Sequence, residues 1–189
     1  SKILWENVGK RRNNLATINI GTDPAAGVTE RITNAIDAVL EKEWKNQGEP
    51  EGFRSPRFAI ENWYGIEEGK LSKIKSARDK KIDDLSDKVQ VTLYDSGKAT
   101  KPTVEIRDKG VGLEPEDFSK TILDLNGSNK IGKLHLMGAF GQGGSTALAY
   151  NNYTVIVSKP QFKKDERKKS KISFTIVRIN PGDVDRDKH

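Results

Sequence analysis

The apolar residues Val28, Ile32, Ile36, Val39 and Leu40 recur at three- and four-residue steps, the spacing of one face of an α-helix. Asp23-Pro24 offers an acceptor side chain and then a proline for the first turn, so the pattern predicts a helix from Pro24 to about Trp44. Period-two alternation follows in Val89–Tyr94 and Pro102–Arg107, two strands joined across Ser96-Gly97 as a hairpin. Pro115-Glu116-Asp117-Phe118 reads as a helix start, and Ala147–Tyr150 as a short apolar helix. Tyr153–Val157 and Ile172–Ile179 are two further strands, expected to form a long hairpin around a basic loop. The order helix, strand, strand, helix, loop, helix, strand, strand is not that of a parallel doubly wound sheet. It predicts an α+β fold, a two-layer sandwich with helices on one face of a mixed, mainly antiparallel sheet.

Between the first helix and the first strand the regularity breaks. Gly48, Pro50, Gly52 and Pro56 interrupt it, an aromatic group from Phe53 to Tyr64 follows, and Lys70–Lys88 is a very polar stretch. Residues 45–88 therefore read as an insertion, ending in a solvent-exposed helix. Its aromatics are expected to pack in a core or interface rather than stack nucleobases. Residues 1–20 read as an arm or short helix, with Arg11 and Arg12 in a solvated turn.

The chain has 189 residues, 34% of them apolar and 32% charged, which suits one domain with long polar excursions. It has no cysteine, so disulfides and thiolate metal sites are excluded. No apolar run approaches a membrane span, and a soluble, cytoplasmic protein is expected. A net charge of +6 is compatible with nucleic acid or a nucleotide and identifies neither.

Three stretches carry candidate chemistry. On the predicted helix, Glu30, Asn34 and Asp37 fall on the face opposite Ile32, one turn apart. That stripe is either a solvated surface or a catalytic row. In the second case Asn34 offers a hard oxygen to Mg²⁺, Glu30 a base for an attacking water, and Asp37 an acceptor to hold a water or a base in place. The second stretch, Asp108-x-Gly110-x-Gly112, ends a strand. An aspartate there can accept a hydrogen bond from the exocyclic amine of adenine, while glycines let a backbone approach a ligand. A plain β-turn fits it as well. The third, Gly138-x-Phe140-Gly141-Gln142-Gly143-Gly144-Ser145, precedes a predicted helix. Its exposed N–H groups and the helix dipole suit phosphate, although a flexible hinge has the same composition. It is neither a Walker loop nor a Rossmann fingerprint.

Taken together, Glu30-x-x-x-Asn34-Ala35-x-Asp37-Ala38, Asp108-x-Gly110-x-Gly112 and Gly138-x-Phe140-Gly141-x-Gly143 resemble the motifs of the GHKL ATPase superfamily. That superfamily includes the B protein of DNA gyrase, the heat-shock chaperones of the ninety-kilodalton class, histidine kinases, MutL-type repair proteins and MORC ATPases. The resemblance spans residues 30–146 and implies the Bergerat ATP-binding fold, with ATP and Mg²⁺ as cofactors. It implies that Glu30 is the general base, Asn34 the Mg²⁺ ligand and Asp108 the adenine-binding acid. It also implies that Asp37, Gly110, Gly112, Gly138, Phe140, Gly141, Gln142, Gly143, Gly144 and Ser145 border the nucleotide. Residues 122–137 become an ATP lid, in which Gly127-Ser128-Asn129-Lys130 resembles the lid segment of chaperones and MORC proteins, with Gly127 and Lys130 near the nucleotide.

An acid at position 30 and another at position 37 differ from the usual histidine-kinase pattern, and neither His135 nor His189 stands in a phosphoacceptor helix. The resemblance therefore favours hydrolysis over phosphotransfer and is nearest to MORC or chaperone ATPases, with ATP-dependent homodimerisation expected in a longer protein. His135 is expected in the lid or the core. Several features depart from the family pattern. The insertion at 45–88 is long, and Thr175 is no firm match for the late threonine of many members, whose equivalent is expected beyond His189. The chain is expected to be the N-terminal ATPase piece of a longer protein, in which a following domain would supply the lysine many members use. Two other functions stay open. One is a nucleotide sensor without hydrolysis in a DNA-associated complex. The other is nucleic-acid binding through Lys159–Lys171, where Asp165 and Glu166 dilute the charge.

Overall fold

The computed structural model describes residues 5, 24–74, 80–98, 100–121, 133–137, 151–162 and 171–178. The chain divides into two compact units, one of residues 1–30, 113–129 and 140–189, the other of residues 31–112 and 130–139. The described residues are α+β, with three α-helices and two antiparallel two-stranded sheets.

The predicted helix, α1, spans Pro24–Asn46, starting on the proline and running two residues past the expected end. Leu40, at 1% exposure, is its most buried apolar side chain, supported by Ala35 and Val39. The boundary between the units falls within α1, so Glu30 belongs to the first unit and Asn34, Asp37 and everything after them on the helix to the second.

In the second unit, α2 spans Pro56–Tyr64. Ser55 caps it by accepting the Phe58 N–H at 3.2 Å, proline opens its first turn, and it ends at Gly65. The aromatics of the proposed insertion do pack. Phe53 and Trp63 have centroids 4.7 Å apart, and both present edges to His135. The polar stretch 70–88 is only partly helical among the described residues. A 3₁₀ turn covers Leu71–Lys73, and α3 covers Lys80–Ser86 without one buried side chain. With Ile82 and Leu85 only half-buried, so short a helix gains little from packing.

Strands β1 (Val89–Tyr94) and β2 (Thr103–Asp108) form the expected hairpin, in a register that sets Val89 opposite Asp108 and Tyr94 opposite Thr103. The half-burial that such alternation usually accompanies does not follow: Val91 and Leu93 are exposed, and only Val89 on β1 is half-buried. Alternation decides which side chains share a face, and packing decides whether that face is covered.

In the first unit, β3 (Tyr153–Ser158) pairs with β4 (Ser173–Arg178), as expected. Here burial alternates cleanly: Thr154, Ile156, Thr175 and Val177 are half-buried, while Tyr153, Val155, Phe174 and Ile176 are exposed. The Ser158 hydroxyl accepts the Leu113 N–H at 2.8 Å. Residues 115–120 form a 3₁₀ helix rather than an α-helix start, with Phe118 buried. Of the N-terminal arm, Trp5 is described, its ring lying 4.2 Å from the Arg178 guanidinium. The predicted helix 147–150 lies outside the described residues. No helix among them is long and apolar enough to cross a membrane.

Candidate functional site

The stripe on α1 is not a solvated face. Glu30 and Asn34 are half-buried, and Asp37 is buried to 2% exposure. An ionised carboxylate loses its hydration on burial and must find donors instead. Asp37 accepts the Met137 N–H at 2.7 Å, a donor 100 residues away in sequence. Met137 immediately precedes Gly138, so the first motif directly holds the threshold of the third.

The second motif is fastened to the same helix, on its neighbouring side. After β2 the chain turns at Asp108, whose Oδ1 accepts the Gly110 N–H at 2.9 Å, an aspartate-initiated turn. The next amide, Val111 N–H, donates to the carbonyl of Ala38 at 2.9 Å. Lys42 Nζ, one turn further along α1, donates to the Lys109 carbonyl at 3.0 Å. Gly110 is buried, and a Cβ built on it would lie 2.5 Å from the Ala38 Cβ and 2.6 Å from its carbonyl carbon. Its missing side chain thus allows a close approach to the helix. Gly112 has the role expected of a turn glycine, with φ at +69°.

Asp108 keeps much of its surface open, yet burial of the carboxyl is the stronger influence and raises its pKa above the ordinary aspartate value. The Gly110 N–H and the Lys42 charge pull the other way. Oδ1 is engaged within the turn, and Oδ2 has no hydrogen-bond partner among the described residues.

The structure therefore brings Asn34, Asp37, Asp108, Gly110 and Gly112 into one unit around α1, with Glu30 on the same helix one turn before Asn34. Gly127, Lys130, Gly138, Phe140, Gly141, Gln142, Gly143, Gly144 and Ser145 lie outside the described residues. No group of three His, Cys, Asp or Glu side chains that could cage a metal exists among the described residues.

Two features escaped the sequence reading. The first is Glu41, one turn beyond Asp37, which is buried and grips Lys133 and His135. The i, i+4 spacing from Asp37 was the available signal. The second is a cavity of about 640 Å³ against another side of α1, with Val39, Glu43, Trp63, Tyr64, Lys88 and Lys109 among its walls. None of the candidate residues lines it. Burial and the nearby Glu43 push the Tyr64 hydroxyl up to about 12, and that hydroxyl has no hydrogen-bond partner among the described residues.

No family model, curated protein or solved structure matches this chain.

Proposed function

We propose that the chain is a Mg²⁺-dependent ATP-binding and ATP-hydrolysing domain of the GHKL type, a single Bergerat-like domain of residues 1–189 with an insertion at 45–88 and an ATP lid at 122–137. One observation supports this above the others. The α1 motif is bonded to the Asp108 turn through Ala38 and Val111, and to the residue before Gly138 through Asp37. The Asp108 turn and the residue before the third motif are thus both held by the helix that carries the first, an arrangement that suits a shared ligand.

In this reading the open oxygen of Asp108 accepts the adenine amine. A charge-assisted hydrogen bond of this kind contributes about 1.5–3 kcal/mol. The glycine run from Gly138 to Gly144 takes the phosphates through its N–H groups. Mg²⁺ bound here would supply charge neutralisation at the phosphates. Asn34 is a fitting single protein ligand, since Mg²⁺ keeps several waters and takes phosphate oxygens rather than needing a cage. Glu30 accepts a proton from the attacking water, and Asp37 keeps Met137, the residue before the glycine run, against the helix. ATP-dependent homodimerisation, a cytoplasmic location and service to a DNA-associated machine are the wider expectations of the same reading.

The test is calorimetric titration of the whole chain with Mg-ATP and with a non-hydrolysable analogue, beside Asp108→Asn. Binding lost in the variant supports the assignment. A folded chain that binds nothing at millimolar nucleotide sinks it. Turnover lost in Glu30→Ala with binding kept separates hydrolysis from simple nucleotide sensing.

A further inference from the structure

Residues 133–137 lie as a strap along α1, and successive turns of the helix grip alternate residues of the strap. Asp37 holds the Met137 amide. Glu41, 8% exposed, uses both of its oxygens. Oε1 accepts from Lys133 Nζ at 2.6 Å, and Oε2 lies 3.3 Å from His135 Nε2, where the ring N–H donates to the carboxylate. One turn further on, Trp44 stacks on the His135 ring with centroids 5.0 Å apart and planes 21° apart. Within the strap, Leu136 N–H donates to the Lys133 carbonyl at 3.0 Å.

Burying a carboxylate is costly unless its partners are well placed. A surface pair would have held a loop down without that cost. Here the cost yields position: with its start, middle and end held, the strap sets Met137, the residue before Gly138, beside Asp37. We infer that Glu41 is a positioning residue of the nucleotide site, one that holds Met137, the residue that leads into the glycine run, in place through Lys133 and His135. The inference rests on the nucleotide-site reading above. Glu41 touches no ligand in this role. It acts by restricting where the phosphate-binding amides begin, so affinity gains from order established before binding.

The experiment compares the whole chain with Glu41→Gln, Lys133→Met and the double variant. Tyr64→Phe, in the cavity wall away from the strap, controls for general destabilisation. Three quantities are read: circular dichroism for the fold, the hydrogen-exchange rate of the Met137 amide without nucleotide, and the calorimetric Kd for a non-hydrolysable Mg-ATP analogue. In Glu41→Gln, exchange at Met137 is expected to rise about tenfold and affinity to fall about tenfold, the equivalent of one charge-assisted hydrogen bond. The double variant should add little to either, because both changes open the same contact. Tyr64→Phe should leave both unchanged. If Glu41→Gln fails to fold, Lys133→Met carries the test from the more exposed end, with a several-fold loss of affinity expected.

Faster exchange at Met137 with unaltered affinity overturns the proposal and leaves a purely structural ion pair. An equal loss of affinity in Tyr64→Phe also overturns it, as a nonspecific stability effect. Failure of the unsubstituted chain to bind the analogue overturns the nucleotide reading and the role with it. Exchange at Met137 would still show whether Glu41 holds the strap.

Discussion

The strap side of α1 and the β3–β4 hairpin reverse the usual relation between residue type and burial. On α1, Asp37 and Glu41 are carboxylates at 2% and 8% exposure. On the hairpin, Val155 and Phe174 are large and apolar, at 63% and 71%. The carboxylates are buried because each has its donors, a backbone amide for one and a lysine and a histidine for the other. The hairpin residues alternate correctly along their strands, but only one of the ribbon's two faces is covered. Hydrophobicity selects the face, whereas a partner decides burial, and a charged group with enough hydrogen bonds can take an interior place that a valine elsewhere does not.

The sharpest way to break this comparison is to deny α1 its closest neighbour. Gly110→Val places a branched side chain where even a Cβ meets Ala38 at 2.5 Å, and overpacking of that severity should cost about 3 kcal/mol. Chemical denaturation measures it, and a loss below about 1 kcal/mol would mean that the turn is not pressed on the helix. Next comes Asp37→Ala, which leaves the Met137 N–H without its acceptor. A loss of about 1.5–3 kcal/mol is expected, with rapid exchange at that amide. An unaltered exchange rate would show that Asp37 is not its true acceptor.

Asp108→Asn should separate binding from folding. Nucleotide affinity should fall about ten- to a hundredfold. Stability should hold or rise slightly at neutral pH. The sign follows from the direction of the pKa shift. Burial holds the folded-state pKa of Asp108 above its unfolded value, so its contribution to stability is fully present below the unfolded pKa and lost as pH rises through the folded one. Asparagine keeps an oxygen for the Gly110 N–H and removes that pH dependence. Thermal melts of both proteins between acid and neutral pH would display it, and a wild-type curve that instead gains from Asp108 ionisation would reverse the assignment. The smallest effect belongs to the hairpin, where Val155→Thr should change stability by no more than about 0.5 kcal/mol. A loss above about 2 kcal/mol would show that something covers that face, and the contrast with α1 would disappear.

Much of the secondary structure was legible. Helical spacing from Val28 to Leu40 and two pairs of alternating runs located α1 and both hairpins within about two residues, because backbone periodicity is written locally. The 3₁₀ helix at 115–120 and the partial helicity of 70–88 were not, since short polar segments take their form from what they pack against. In the candidate site the sequence supplied the residue types at Glu30, Asn34, Asp37 and Asp108. It did not show that Gly110 also packs on the backbone of α1, where a Cβ would meet Ala38.

What the sequence determined by itself is a set of elements and a row of polar side chains one turn apart on a helix, because a helical repeat of about 3.6 residues per turn needs no partner to operate. Only the tertiary structure decided that Asp37 and Glu41 lie inside. Their donors at residues 133–137 come from almost a hundred positions away, and no local pattern specifies a contact across that distance. The same holds for Gly110 against Ala38, where the reason for a glycine is the backbone of another element.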